Sequence, residues 1–384
     1  MNILVISPVL PYPPVDGDRL RIYNFLKYLS KWNKIYLLSF IYKSEEKNVD
    51  YLNKICSLIK IVYIDKNHIL FNALKSIFSS IPINIGAYTS QEMKNKVDEI
   101  LKQEKIDLIY AYRIRCAPYA ANKNIPAVID IVDSMALVNK RRDEFENDLF
   151  RKLYIKIDYT RLLNYEKNLY KFFRKIFVNS EDDEKFLNTQ NMEVIANGVA
   201  GKIYTKHKNK IWTIGFFGNI EYGPNYDGII FFYKNIWKKI SEFDKNIRLV
   251  IAGDQKNKLK DIIKDKSIEI KGYIEDIDKE ISKWDISLVP VRYGAGRQNK
   301  ILKSWACGIP VVATKFAAMG VYGKNEYNLL IADKEEEFIN AIYQIKNNKR
   351  LKEKIIKGGF LTVKKYFNWE KNLKKLKEII RKVK

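Results

Sequence analysis

Two cations stand close together in the second half of the chain, in the stretch GAGRQNKILKSWACGIPVVAT at 294–314. Arg297 and Lys300 are three residues apart, so a helix that began here would place them on one face of its first turn. The positive end of the helix dipole already lies there, and cations at that end are mildly unfavourable unless an anion joins them. With Gly294 and Gly296 just ahead of the pair, the pattern predicts an anion-binding loop.

Two other loops of the same half also suit an anion or a nucleotide. In GFFGNIEYGPNYDGI a strand runs into a glycine loop and then a helix, and at Gly218 the backbone could pass close to a phosphate. In KGYIED the strand end leaves a small backbone window at Gly272, Tyr273 and Ile274, which could read a planar base edge or could be a tight turn. Three such loops from one sheet are more informative than a single glycine motif.

The first half opens with a comparable loop. In SPVLPYPPVDGDRLRIYNFLKYLSK the prolines and Gly17 build a rigid turn, and a helix is predicted to start near Asp18. A glycine at a helix start lets backbone N–H groups approach a ligand closely. An ordinary loop with an aspartate cap explains this segment equally well.

Short apolar runs alternate with longer helical patterns along the whole chain. Many of these runs are apolar on both faces, as parallel strands covered by helices should be. The rhythm predicts two doubly wound, Rossmann-like α/β domains that face each other across a cleft. The polar stretch 198–210 separates the two series, which places the domains at 1–200 and 201–365. The predicted strands are 2–7, 34–40, 59–65, 107–112, 127–133, 175–180, 192–198, 212–218, 247–253, 268–274, 285–291, 310–314 and 328–333.

The composition restricts the class of protein. Of the 384 residues, 47% are hydrophobic and 13% aromatic, which is ample for packed cores and argues against disorder. The formal net charge of +24 indicates either an anionic partner or a lysine-rich composition, and the even spread of the lysines favours composition. No recognition module or aromatic-basic stripe supports a nucleic-acid partner.

Cysteine and histidine content argues against a metal site. The three cysteines form no CxxC pair and suit a reducing cytoplasm, and the two histidines have no metal-ligand spacing. The N-terminal stretch MNILVISPVL is short and lacks a basic start, so it predicts a first strand rather than a signal peptide. No apolar run reaches the roughly 18 residues that spanning a bilayer requires.

In their order along the chain, these motifs resemble those of the family 4 glycosyltransferases, most closely the branch with a Pro-Asn loop after the first strand of the second domain. The resemblance implies a GT-B fold, a nucleotide-diphosphate sugar donor and retention of anomeric configuration. It also implies that no metal or other cofactor is needed, and that a C-terminal helix, 366–384, joins the first domain. The motifs are PYPPVDGDRLRIYNFLKYLSK, VIDIVDSMALVNKRR, FVNSEDDEKFL, VIANGV, GFFGNIEYGPNYDGIIFFYKNIW, GYIEDI and GAGRQNKILKSWACGIPVVAT.

Several residues match family positions near the donor. Gly17 matches the glycine of the first-domain loop near donor and acceptor, and Gly218 matches the glycine before the phosphate-binding loop. Asn219 and Asn225 stand where that loop often has Arg and Lys. The basic pair of the 294–314 stretch matches a pair that some members carry at the helix start, so the implied anion is the donor diphosphate. Charged hydrogen bonds would stabilise the departing diphosphate in place of a metal ion.

One departure from the family pattern is serious. The family has Glu-x7-Glu across this segment, and the chain has Ala295 and Lys303 at those two positions. The second glutamate usually binds the ribose hydroxyls, and a charged lysine cannot accept a hydrogen bond. Either ribose binding is rebuilt, or Lys303 points elsewhere, or donor binding is impaired. The last case predicts a non-catalytic partner subunit rather than an enzyme.

The first domain offers candidates for holding an acceptor. Asp130, Asp133 and Ser134 match a D-x-x-D-S strand end of the family, where Asp133 could position the acceptor hydroxyl or could cap the next helix. Four cations near predicted strand or helix ends could hold an anionic or lipid-diphosphate acceptor, although solvated surface explains each of them more simply. They are Arg19, Arg21, Arg113 and Arg115.

Two segments raise the question of a membrane. The apolar stretch HILFNALKSIFSSIPINIGAY is either a core helix or an exposed lip that touches a membrane or lipid carrier, and its modest amphipathicity favours the core. In NWEKNLKKLKEIIRKVK, apolar residues fall at helical spacing with lysines between them. Such a helix can pack its apolar stripe on the protein and turn its lysines outward, either to attract anionic lipid or simply to be solvated. The stripe is Trp369, Leu373, Leu376 and Ile380.

The sequence therefore predicts a cytoplasmic GT-B glycosyltransferase, with a hexosyltransferase of polysaccharide biosynthesis as the expected type. It would move a sugar from a nucleotide-diphosphate sugar to a glycan or lipid-linked acceptor by front-face substitution, positioning the acceptor and stabilising the departing diphosphate. No histidine or paired acid stands out as a strong external base. An anionic membrane surface at the inner face is a further expected partner, and a nucleic acid is not expected.

Overall fold

Two units make up the chain in the computed structural model. The first unit is Met1–Ala196 together with Lys371–Lys384, and the second is Asn197–Glu370. Each is built on its own parallel sheet and has its own hydrophobic core. The structure describes residues 1–144, 146, 148–204, 211–253, 259–294 and 297–383.

A parallel sheet forms the centre of the first unit. Its described strands are β1 (Asn2–Ser7), β2 (Lys34–Ile41), β3 (Leu58–Tyr63), β4 (Leu108–Tyr112), β5 (Ala127–Val132), β6 (Lys175–Val178) and β7 (Met192–Val194). They lie in the order β3-β2-β1-β4-β5-β6-β7, and their pairings are parallel. The order reverses between β1 and β4, and ligands of such sheets bind beyond the carboxyl ends of the strands at that point.

Helices cover this sheet, and their starts are capped locally. Helix α1 begins at Gly17 because the Asp16 carboxylate accepts the backbone N–H of Arg19 at 2.8 Å. The described helices are α1 (Gly17–Leu29), α2 (Lys66–Ile77), α3 (Ile83–Gly86), α4 (Gln91–Gln103), α5 (Ala117–Ala120), α6 (Met135–Asp143), α7 (Leu149–Lys167) and α8 (Glu181–Leu187). Short 3₁₀ turns lie at Lys43–Asn48, Asp50–Leu52, Ile114–Cys116 and Leu169–Lys171.

The second unit repeats the design with a smaller sheet. Its described strands are β8 (Trp212–Phe217), β9 (Ile247–Ala252), β10 (Ile268–Lys271), β11 (Ile286–Val289), β12 (Val311–Ala313) and β13 (Leu330–Ile331). They lie in the order β10-β9-β8-β11-β12-β13, again with parallel pairings, so the order reverses between β8 and β11. The described helices include α9 (Gly223–Phe232), α10 (Lys238–Phe243), α11 (Ile277–Ile281), α12 (Asn299–Ala306), α13 (Lys315–Met319), α14 (Glu335–Asn347) and α15 (Lys349–Tyr366). Helix α9 continues through a π turn at Tyr233–Trp237.

The last helix, α16 (Trp369–Val383), has the amphipathic character that its spacing predicts. Trp369 itself is half-buried, and most lysines of the helix are exposed. Lys375, however, donates to the carbonyl oxygen of Val194 at 3.0 Å, so it is partly used within the first unit. The buried residues of the stripe are Leu373, Leu376 and Ile380.

The apolar segment 68–88 does not form the core helix that the sequence favours. It makes up most of α2 and all of α3, and within α2 only the small side chain of Ser76 is buried. The core interpretation is therefore wrong for α2, because the large side chains of this helix lie on its uncovered face. No helix among the described residues combines the length and the apolar character needed to cross a bilayer.

Candidate functional site

Glycines shape the carboxyl edge of the second sheet, where the strand order reverses. Gly218, directly after β8, has φ +152°, and a Cβ there would lie 2.9 Å from Nδ2 of Asn225. Gly253, after β9, has φ +159°, and a Cβ there would overlap the carbonyl oxygen of Gly218. Glycine is the residue that fits both positions without strain. The two strand ends consequently present bare backbone at this edge, as an anion site requires.

Asn225 holds the loop after β8 in place. Its Nδ2 donates to the carbonyl oxygen of Asn219 at 2.8 Å, and Oδ1 of Asn219 accepts the backbone N–H of Glu221 at 2.8 Å. Asn225 is buried in the first turn of α9. Both asparagines that stand in place of the family's cations are therefore used to shape the loop.

Lys300 lies in the first turn of α12 and reaches the same loop. Its Nζ donates to Oδ1 of Asn225 at 2.7 Å, and Oε1 of Gln298 lies 3.4 Å away. Burial of the ammonium group lowers the pKa of Lys300 to about 8, and within the described part of the chain no counter-ion offsets that effect. An anion bound beside Nζ would restore the charge. Of the two predicted cations, Lys300 is the one that sits at the helix start.

Arg297 occupies different surroundings, and the expectation that it shares a helix face with Lys300 is wrong. The helix begins only at Asn299, with Gln298 as its N-cap, so Arg297 precedes it. The Arg297 side chain is buried, with Cζ 5.0 Å from the ring centroid of Phe367 and 5.5 Å from that of Tyr322. Cation–π contact with this pair of rings fixes the guanidinium in one place.

The third predicted loop segment begins beside the start of α9. Gly294 has φ +130°, and a Cβ there would lie 3.0 Å from the hydroxyl of Tyr222, which precedes α9. The positive φ is what favours glycine here, since residues with side chains rarely adopt it. Ala295 and Gly296, which follow, lie outside the described residues.

The predicted backbone window follows β10 on the same edge. The carbonyl oxygen of Gly272 accepts the N–H of Gly253 at 3.3 Å, which ties the window to the glycine loops. Tyr273 is exposed, whereas Ile274 packs against the apolar cluster that includes Trp284. The structure thus gathers the predicted loops of the second unit at one sheet edge.

Lys303 is engaged elsewhere. Its Nζ lies 2.5 Å from Oδ1 of Asp278 and donates to the carbonyl oxygen of Ala200 at 2.7 Å. Asp278 lies in α11, after the backbone window. The sequence leaves three alternatives for this position: rebuilt ribose binding, a Lys303 that points away from the ribose, or impaired donor binding. The geometry matches the second alternative.

In the first unit, the loops after β4 and β5 meet the start of α1. Asp133 follows β5, and its Oδ2 lies 3.7 Å from Nη1 of Arg113, whose Nε lies 3.3 Å from the carboxylate of Asp18. Burial raises the pKa of the Asp133 carboxyl, and the nearby Arg113 works against that increase. Gly17 is the first residue of α1, directly before Asp18. This cluster lies where the strand order of the first sheet reverses.

Asp133 is not the cap of the following helix. Oγ of Ser134 accepts the N–H of Leu137 at 3.1 Å, so Ser134 caps α6. Just before Asp133, Val132 has φ +65°, a conformation that costs a β-branched residue energy and that is found mainly at functional sites. The acceptor-positioning interpretation of Asp133 stays a prediction.

The arginines predicted as possible acceptor contacts all have partners within the first unit. Nε and Nη2 of Arg21 donate to the two carboxylate oxygens of Asp130 at 2.8 and 3.1 Å, and both side chains are fully buried. The solvated-surface explanation is therefore wrong for Arg21, and Asp130 is a core residue rather than a cleft carboxylate. Arg19 pairs with acidic side chains, and Arg115 donates to Asn84 at 2.5 Å.

Sequence reasoning missed several of these contacts. Tyr322 and Phe367, which hold Arg297, lie far along the chain and carry no local signal. Asp278, the partner of Lys303, is one of several acids in its segment and could not be singled out. Gly253 ends an apolar run in the same way as Gly218. This similarity is the sequence signal that could have identified Gly253 as a second glycine at a strand end.

The side chains of the second unit's site suit an anion rather than a metal ion. Ammonium, guanidinium, amide and backbone N–H groups dominate, and these bind phosphate rather than cations. Across the described ranges, no group of three His, Cys, Asp or Glu side chains is arranged to hold a metal ion.

Similarity to known proteins was found in both sequence and structure. Residues 212–348 match the model of the family described as glycosyl transferases group 1. An uncharacterized 44.6 kDa protein in the cps region of Klebsiella pneumoniae is 25% identical over 376 residues, which cover 90% of this chain and 91% of that protein. The uncharacterized glycosyltransferase MJ1178 of Methanocaldococcus jannaschii is 26% identical over 382 residues, covering 96% and 95%.

Solved structures with the same architecture cover the whole chain. Anabaena Alr3699/HepE in complex with UDP-glucose superimposes with a TM-score of 0.70 at 13% identity, covering 99% of each chain. Sucrose-phosphate synthase from Thermosynechococcus elongatus superimposes with a TM-score of 0.73 at 14% identity, covering 100% of this chain and 99% of that one. The fold is therefore GT-B, as predicted. Together with the domain match, these neighbours support a GT-B glycosyltransferase.

Proposed function

We propose that this protein transfers a sugar from a nucleotide-diphosphate sugar to a glycan or lipid-linked acceptor, with retention of configuration. The observation that carries the proposal is Lys300, a half-buried lysine with neutral partners at the edge where Gly218 and Gly253 leave the backbone bare. The Anabaena neighbour is in complex with UDP-glucose, which supports a nucleotide-sugar as the donor.

The diphosphate of the donor is the anion that this edge would hold. Lys300 and the first N–H groups of α12 would bind it, with the buried Arg297 as the second cation. Negative charge on the leaving diphosphate grows as the glycosidic bond breaks, so these groups stabilise the transition state more than the ground state. Because the cations are already fixed by Asn225 and by two aromatic rings, little reorganisation is needed.

The acceptor would be held by the first unit. Asp133, which lies beside Arg113 at the reversal point of that sheet, is placed to orient a hydroxyl group. In front-face substitution the acceptor hydroxyl attacks from the side that the diphosphate leaves, and the departing phosphate oxygen takes its proton. Positioning and charge stabilisation then account for catalysis without a strong external base.

Ribose recognition must differ from the family pattern, because the ion pair with Asp278 occupies Lys303. We infer that backbone carbonyl groups, rather than a glutamate, accept hydrogen bonds from the ribose hydroxyls. A catalytically impaired partner subunit is the alternative, and the Gly218 loop together with the partly buried contact between Asn225 and Lys300 favours the enzyme.

Hexosyl transfer in polysaccharide biosynthesis is the proposed setting, at the inner face of a membrane. Exposed lysines of α16 would attract anionic lipid electrostatically, at about 1 kcal/mol for each cation near the surface. Lipid attraction of this kind requires no insertion and is weakened by salt.

Calorimetric titration with a panel of nucleotide-diphosphate sugars tests the donor site. Wild type should bind at least one of them, and Lys300→Ala should bind it roughly ten-fold or more weakly, the effect of removing a charged hydrogen bond. Lys357→Ala, which removes an exposed lysine of the same unit, is the matched control and should bind normally. Equal binding by wild type and Lys300→Ala would refute the proposed site.

A further inference from the structure

Helix α2 turns its large apolar side chains away from the protein. Its inward positions are Ile69, Asn72, Ala73 and Ser76, which are mostly small or polar, and all four are at least half-buried. Its outward positions are large and apolar, and Phe78 just after the helix is 93% exposed. A surface helix normally shows the opposite arrangement, with the large apolar residues inside. The exposed residues are Leu70, Phe71, Leu74, Ile77, Phe78 and Ile81.

Helix α7 shows a second exposed apolar stripe. Its buried face is fully occupied by Ile155, Asp158, Leu162 and Glu166, which recur at helical spacing. The opposite face is also apolar, and Phe150 is 87% exposed. The buried face of α7 already packs against the core of the unit, so the outer stripe makes no contribution to that core. The exposed residues are Leu149, Phe150, Leu153, Tyr154 and Ile157.

Helices α2 and α7, which carry the two stripes, are connected to each other. Nη1 and Nη2 of Arg161 in α7 donate to the carbonyl oxygens of Ser76 and Ile77 at the end of α2, at 3.1 and 3.0 Å. Asp158 in α7 accepts the N–H of Ile83, which begins α3, at 2.9 Å. These hydrogen bonds join the end of α2 and the start of α3 to the middle of α7. The eleven exposed apolar residues of the two helices and the adjoining loop are named here the α2–α7 face. Apolar exposure on this scale, on two helices that meet, marks an interaction site.

The charges of the two helices have a single sign at the surface. Helix α2 contains no Asp or Glu, and the acidic residues within α7, Asp158 and Glu166, are both buried. Carboxylates do lie just before the two helices. Asp65 and Asp148 cap α2 and α7 and are exposed, and Asp143, Glu144 and Glu146 also precede α7. The remaining charged side chains of the helices are cations, and they flank the apolar residues. They are Lys66, Lys75, Arg151, Lys152, Lys156, Arg161 and Lys167.

We propose that the α2–α7 face is a membrane-docking surface, which inserts its aromatic and aliphatic side chains into the interfacial region of an anionic bilayer leaflet. Apolar residues on helices whose own exposed charges are all lysine and arginine match such a leaflet in both polarity and charge. A second copy of this chain is a poorer match, because a symmetric contact would set the same cations against each other. The proposal does not depend on the transfer chemistry, and it differs from electrostatic attraction through α16 because it requires insertion.

Vesicle sedimentation tests the face directly. Wild type should bind vesicles of phosphatidylcholine and phosphatidylglycerol, and raised salt should weaken that binding without abolishing it. The double variants Phe71→Ser/Leu74→Ser and Phe150→Ser/Leu153→Ser should each bind about ten-fold or more weakly, since each removes the insertion of two apolar side chains. The matched control is Phe243→Ser, which changes an 87% exposed phenylalanine of the second unit and should bind like wild type. Circular dichroism and melting curves check that the variants are folded.

Depth of insertion is measured with a tryptophan at the most exposed position. The emission of Phe78→Trp should shift to shorter wavelength with anionic vesicles and be quenched by brominated acyl chains, relative to Phe243→Trp. Wild-type binding by both double variants, or no shift for Phe78→Trp, would overturn the proposal. Light scattering could instead show that the wild type is a dimer and that both double variants are monomers. The α2–α7 face would then bind a second copy of this chain, and the membrane assignment would be wrong.

Discussion

Binding of a nucleotide-diphosphate sugar should take up a proton near pH 8. In the unliganded protein, burial lowers the pKa of Lys300 to about 8, so the ammonium and the neutral amine are both populated there. The diphosphate stabilises the ammonium and raises the pKa of Lys300 in the complex. The protonated form therefore binds the donor better, and affinity should fall as the pH rises through about 8.

The change in the pKa of Lys300 on donor binding sets the size of the proton uptake and of the pH dependence. If the donor returned the pKa of Lys300 to its ordinary value of 10.5, the bound anion would favour the charged form by about 3 kcal/mol. Uptake would then be about half a proton per site at pH 8 and less at pH 7. Above about pH 8, affinity would fall by about ten-fold for each pH unit.

Calorimetric titration in two buffers of different ionisation enthalpy measures the uptake, between about pH 7 and about pH 8.5. A diphosphate sugar is the appropriate ligand, because its bridged phosphates exchange no proton in this range. Lys300→Met should abolish the uptake, whereas Lys303→Met should retain it, because Lys303 is already paired with Asp278. Donor binding without proton uptake, or the same uptake by Lys300→Met, would refute this account of Lys300.

Three further predictions concern the site and the fold. Arg297→Ala and Lys300→Ala should each weaken donor binding or turnover by about 1.5–3 kcal/mol, the cost of a lost charged hydrogen bond, and wild-type kinetics in both variants would place the diphosphate elsewhere. Transfer activity should survive EDTA; its loss, with recovery on adding Mg²⁺ or Mn²⁺, would contradict the proposed mechanism. Arg21→Ala leaves Asp130 as a buried carboxylate without its cation and should lower the free energy of unfolding in urea by about 3–5 kcal/mol. A loss below about 1 kcal/mol would show that the pair is not critical.

Much of the fold could be predicted because parallel strands leave a strong sequence signal. A strand buried on both faces is apolar along most of its length, and each of the predicted apolar runs overlaps a strand of the structure. Gly218 could be identified for a related reason, since a glycine at the end of such a run marks a turn that other residues fit poorly. Its φ of +152° agrees with that expectation.

Other features depended on residues that are distant in the chain. The position of Arg297 is set by the rings of Tyr322 and Phe367, and no helix period predicts such a contact. The ion pair of Lys303 is set by a different helix. For the 68–88 segment, periodicity identifies an apolar face but does not say whether anything covers it. The sequence therefore favours the core for this segment, although α2 exposes that face.

Release of the nucleotide in the presence of an acceptor tests glycosyl transfer most directly. The purified protein would be incubated with a panel of nucleotide-diphosphate sugars, each with and without glycan and lipid-linked acceptors. The account predicts acceptor-dependent release of a nucleoside diphosphate from at least one donor, a product with the anomeric configuration of that donor, and a loss of about ten-fold or more in Lys300→Ala. Donor binding without release across the panel, or release that Lys300→Ala leaves unchanged, would contradict it.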